Sequence, residues 1–75
     1  MTEDEARELL AGWDGIAGVE RWIAAQTWRP AGESWEVEPA LQGWRFRLVP
    51  DPPGLQIIAS PGSGAAPAVW TVTPR

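Results

Sequence analysis

The sequence predicts an α+β domain in which an N-terminal helical segment, either one kinked helix or two short helices, packs on one face of a four-stranded antiparallel meander sheet. Three observations predict it. Apolar residues recur at near-helical spacing in the first third of the chain and at period two from Ser34 onward. The period-two segments are separated by short connections, mostly rich in Pro and Gly, and such connections join neighbouring antiparallel strands. Seventy-five residues make one domain with no room for a second. Residues 1–75 are therefore expected to fold as a single unit, with 2–28 helical and 34–73 forming the sheet.

Thr2 and Glu5 fit a capping box, and Glu3 and Asp4 complement the positive end of the helix that follows. Ala6, Leu9, Leu10 and Trp13 then fall at i, i+3, i+4 and i+7, an amphipathic stripe. Gly12, Gly15 and Gly18 come next. Each costs a helix interior about 0.8–1 kcal/mol relative to Ala, so a break is expected near Gly12 to Gly15, with Asp14 available as a second N-cap. Ile16, Val19, Ile23 and Thr27 carry a second stripe, with Trp22 to one side. Arg29-Pro30-Ala31-Gly32 should end the helix, because the residue before Pro leaves the helical region.

Ser34 to Glu38 alternates, Trp35 and Val37 inward, Glu36 and Glu38 outward. Pro39 to Gly43 reads as a hairpin loop. Trp44 to Val49 is the central strand, with Trp44, Phe46 and Leu48 toward the core and Arg45 and Arg47 away from it. Pro50 to Gly54 is a rigid turn. Leu55 to Ala59 is a third strand, partly covered on both faces. Ser60 to Pro67 is a loop without a hydrophobic anchor, and Ala68 to Thr73 is the fourth strand. This loop placement sets Glu38 nearly opposite Trp44, so Glu36 and Glu38 lie diagonal to Arg45 and Arg47.

Composition excludes several chemistries. A chain this short buries only about 60% of the surface its unfolded form exposes, and the absence of Cys and His removes disulfides, thiolate sites and the commonest metal ligand. Six tryptophans, each able to bury roughly 150–250 Å², are read chiefly as core; a sticky recognition surface is the competing reading. All basic residues are Arg, and heavy use of Ala, Gly, Pro, Arg and Trp fits a GC-rich bacterial genome. The net charge of −4 argues against general affinity for nucleic acid or anionic membrane. No apolar run approaches the roughly 20 residues that span a bilayer, and the acidic start is unlike a signal peptide. A cytoplasmic protein is expected.

No constellation supports catalysis. Ser34, Ser60 and Ser63 lack His or Lys to activate them. Glu36 and Glu38 share a strand face and could act as an acid and base pair. Ion pairing with Arg45 and Arg47, worth about 0.2–1 kcal/mol per cross-strand pair, is the better account. Glu3, Asp4, Glu5 and Glu8 would hold a divalent cation loosely at best. The glycines of residues 12–18 lack the preceding strand and the Lys of a phosphate loop.

The chain is thus expected to be no enzyme, to need no cofactor or metal, and to bind another protein in the manner of an immunity protein, inhibitor or adaptor. It would act through its sheet face or an edge strand, with Glu36, Glu38, Arg45, Arg47 and Trp70 as candidate contacts. An acidic surface from Glu3 to Glu8, with Glu20, could also mimic DNA. The alternatives are a single-stranded nucleic-acid binder using Arg29, Arg45 and Arg47 beside exposed indoles, and a structural subunit that assembles with itself through the uncharged last strand.

Overall fold

The structure is a computed structural model that describes residues 1–13, 15 and 18–74. Two helices, α1 (Glu3–Ala11) and α2 (Val19–Ala24), precede five strands: β1 (Thr27–Ala31), β2 (Ser34–Glu38), β3 (Arg45–Asp51), β4 (Gly54–Ser60) and β5 (Ala68–Val72). The strands form one open antiparallel sheet in the order β1-β2-β3-β4-β5. Among the described residues no helix is long and apolar enough to cross a membrane.

The helical segment is two helices. The Thr2 hydroxyl accepts from the Glu5 amide, and the Glu5 carboxylate accepts from the Thr2 amide, so the capping box closes as the residues require. Helix α1 stops at Gly12, where the glycine-rich connection begins. The expected cap Asp14 and stripe residue Ile16 lie outside the described residues.

The helical stripe does not run to Thr27. Helix α2 ends at Ala24, and Thr27 to Ala31 is a fifth strand, not a helix end and turn. Its cause lies in the α2 carbonyls, which find partners outside any further helical turn. The Gln26 side-chain amide donates to the Trp22 carbonyl at 3.1 Å, and the Trp28 indole donates to the Ile23 carbonyl at 2.8 Å. Arg7 donates to the Ala24 carbonyl at 2.6 Å. With those groups satisfied, the chain is free to extend. Gly32, at φ 66°, then takes the first central position of a two-residue turn that joins Ala31 to Ser34. Pro30 is tolerated because β1 is an edge.

The core forms between the helices and one sheet face. Ala6, Leu10 and Ile23 from the helices meet Trp28, Val37, Phe46, Leu48, Leu55, Ile57, Ala59 and Val72 from all five strands. Phe46 and Leu48 point inward as their alternation demands, but Trp44 does not join them. It stands outside β3 as 39% exposed, paired with Leu41 across a tight turn. Gln42 (φ 51°) and Gly43 (φ 82°) both occupy the left-handed region there, the requirement of a type I′ turn. The tight turn is therefore two residues long, and Pro39 and Ala40 interrupt the ladder before it. The interruption changes the register: Glu36 lies directly opposite Arg47, not on its diagonal.

Candidate functional site

Strand alternation sorts the sheet into two unlike faces. The face away from the helices carries one row through every strand: Arg29, Glu36, Arg47, Ile58 and Val69 are successive cross-strand neighbours. Arg29 donates to Glu36 with Nη2 to Oε2 at 2.5 Å, and its Nη1 lies 3.2 Å from Glu38 Oε1. Arg47 reaches the second oxygen of Glu36 at 3.8 Å. The β1 and β2 side chains thus form a fork of two carboxylates around one guanidinium, with a second guanidinium behind. Arg45, opposite Ser60, makes no ion pair among the described residues. Together these groups and Ile58 line an open concavity of about 740 Å³.

The electrostatics follow from that geometry. The hydrogen bond from Arg29, reinforced by its charge and by Arg47 and Arg45, holds the Glu36 carboxyl below the ordinary carboxylate range. The same bond, with the charges of Glu38 and Glu36, raises Arg29 above its usual value. A carboxylate pushed in this direction stays ionised far from neutrality, which is the wrong tuning for proton transfer there. What the array does well is present fixed, oriented charge.

Of the five candidate contacts, the structure brings four together: Glu36, Glu38, Arg45 and Arg47 share this face. Trp70 does not belong with them. It lies opposite Ile57, hence on the helix-bearing side, where it packs against the core with a buried indole N–H that finds no hydrogen-bond partner among the described residues. Near it, Trp22, Trp44, Leu41 and Phe46 line an apolar groove. The strand arginines Arg29, Arg45 and Arg47 and the sheet indoles accordingly occupy opposite faces, whereas Arg7, which lies over the Trp28 ring, comes from α1. Glu20 is also misplaced for an acidic surface, being 6% exposed. Its carboxylate fills the space over Gly15. Among the described residues no three carboxylates are disposed to hold a metal ion.

Sequence reasoning missed Arg29 as the hub of the array, because it stood in a segment read as a helix end. The available signal was the pairing of Thr-Trp-Arg-Pro-Ala with Ser-Trp-Glu-Val-Glu across Gly32-Glu33, a two-residue turn with Gly in its first position. A second missed signal is the absence of any charged residue between Asp51 and Arg75, which leaves β4 and β5 without charge. The chain matches no protein-family model, and no curated protein or solved structure is significantly similar to it.

Proposed function

We propose that the chain is a non-catalytic protein-binding module of the cytoplasm, of the immunity, inhibitor or adaptor kind, that engages another protein through its helix-free sheet face. The observation that carries this reading is the row Arg29–Glu36–Arg47–Ile58–Val69 across all five strands, with Arg29, Arg47 and Val69 exposed and Glu36 and Ile58 half-buried. Charges ordered in this way select a complementary surface and steer its approach. Arg is also favoured at binding hot spots, and Arg45 makes no ion pair among the described residues. The partner that fits presents carboxylates to Arg45 and Arg47 and a small apolar group to Ile58. The separation of Arg29, Arg45 and Arg47 from the sheet indoles speaks against a single-strand groove built on them, in which stacking rings and cations must coincide.

The test uses the tagged chain and an Arg45→Glu/Arg47→Glu variant, both on exposed positions, in parallel captures from the native host. A protein held by the wild type and lost at least tenfold by the variant, with the far-UV spectrum unchanged, supports the reading. Equal capture by both, or tight and salt-sensitive binding of oligonucleotides by the wild type, overturns it.

A further inference from the structure

The two edges of the sheet are not alike. The β1 edge is guarded: Pro30 lacks an amide hydrogen, and Arg29 and Glu33 surround it with charge. The β5 edge has no such protection. Ala68 to Val72 contains no Pro and no charge, and among the described residues no hydrogen bond reaches its outer rim. Its flanks carry no charge on either side of the sheet. Val69, 51% exposed, stands on the helix-free face. On the other side Ala68, Trp70 and Trp44 line the apolar groove. An edge of this kind is a template for another strand.

We propose that β5 is a homodimer interface, in which the β5 strands of two copies pair antiparallel about a two-fold axis through Trp70 and fuse the sheets into one of ten strands. Charge selects the occupant. Each chain carries −4, so two copies meet with least repulsion through a surface without charge, and the segment between Asp51 and Arg75 supplies one. A charged strand from a different protein would find no counter-charge on this edge. The register is fixed by the pleat. An axis normal to the sheet requires paired residues to share a face. Centring it on Trp70 pairs all five residues of β5, Ala68 with the partner's Val72 and Val69 with the partner's Thr71. The helix-free side then gains a β-branched pair twice over, and the two Trp70 indoles become neighbours on the other side. Such an isologous contact also closes. Its two outer ends are both β1, the guarded edge, so assembly stops at two.

Sedimentation equilibrium across a concentration series is the primary test, since the monomer mass is 8.2 kDa. The wild type is expected to approach twice that mass. Val69→Lys, at an exposed site outside the core, should raise the dissociation constant at least tenfold with an unchanged far-UV spectrum. A wild type that stays monomeric overturns the proposal, as does a Val69→Lys variant that dimerises as well as the wild type. The register has its own measurement, because the chain has no cysteine. A Val69→Cys/Thr71→Cys variant should oxidise to a covalent dimer under native conditions and far less in urea. Equal crosslinking in both, or none in either, removes the two-fold pairing. The dimer does not depend on the outer-face partner: Arg45→Glu/Arg47→Glu, which takes each chain from −4 to −8 by two charges at each position, should leave the doubled mass intact in salt high enough to screen the added repulsion. Each reading can therefore fail while the other stands.

Discussion

At the scale of single residues, Glu36 and Glu5 tie this fold to pH in the same direction. Hydrogen bonds with Thr2, that to its backbone first, depress the Glu5 carboxyl, and the hydrogen bond from Arg29 depresses Glu36. A group whose folded pKa lies below its unfolded value contributes stability above the unfolded value. That contribution is lost as pH falls through the folded pKa. With unfolded glutamate at about 4.3, the loss from these two groups begins around that pH and continues below it. Both groups are open to solvent, so the acid limb should be shallow. Carboxyl titration followed by NMR should place both midpoints below the ordinary glutamate value. Arg29→Gln should return Glu36 upward and leave Glu5 where it was. A wild-type Glu36 that titrates at the ordinary value would contradict the 2.5 Å contact with Arg29.

At the scale of elements, the close approach of β4 and β5 rests on one missing side chain. Gly54 is buried at the start of β4, and a Cβ there would overlap the carbonyl oxygen of Val72 and crowd Thr73. The obstacle is backbone in a paired strand, which cannot swing aside as a side chain would. Gly54→Ala should cost about 1–3 kcal/mol by the general penalty for overpacking, read as a lower urea midpoint with an unchanged slope. Elements fixed by local rules were legible in the sequence: the Thr2–Glu5 cap, the glycine break, and the inward set Val37, Phe46 and Leu48. Those decided by distant partners were not. Thr27 fits a helical stripe at i+4 from Ile23 and equally well an alternating strand. The α2 carbonyls are taken by Gln26 and Trp28 from nearby and by Arg7 from 17 residues away in α1, and the Arg7 contact is one that no local pattern shows. The site divides in the same way. Alternation places Glu36, Glu38, Arg45 and Arg47 on one face, but the side taken by Trp70 depends on its pairing with Ile57, and the hub role of Arg29 depends on β1 existing at all.

At the scale of the whole molecule, a small two-layer domain without disulfides must hold its helices to its sheet by a few contacts, and Arg7 gathers an unusual share of them. From α1 it donates to the carbonyls of Ala24 at 2.6 Å and Gln26 at 2.8 Å, the link between α2 and β1. Its Nε meets Glu3 at 3.2 Å, and its guanidinium lies 4.4 Å from the centre of the Trp28 ring. Trp28, 5% exposed, in turn closes α2 through the Ile23 carbonyl. One planar cation therefore joins α1, α2 and β1. Hydrogen bonds to charged groups contribute about 1.5–3 kcal/mol each, and stacking on an aromatic ring about 0.5–1 kcal/mol at partly exposed sites. These effects overlap, so Arg7→Met, which keeps the apolar stem and removes the donors, should cost about 2–4 kcal/mol in urea unfolding. That is a large fraction of the roughly 4–11 kcal/mol expected for a chain of this length. Arg7→Lys should recover less than half of the loss, because an ammonium cannot reproduce the fork that serves two carbonyls, a carboxylate and a ring face. Hydrogen exchange localises the effect: α1 amides should lose protection in Arg7→Met before those of β3 and β4. If Arg7→Met stays within about 0.5 kcal/mol of the wild type, as ordinary surface changes do, the layers are held by apolar packing of residues such as Ala6, Leu10 and Ile23 and the clamp has no energetic role.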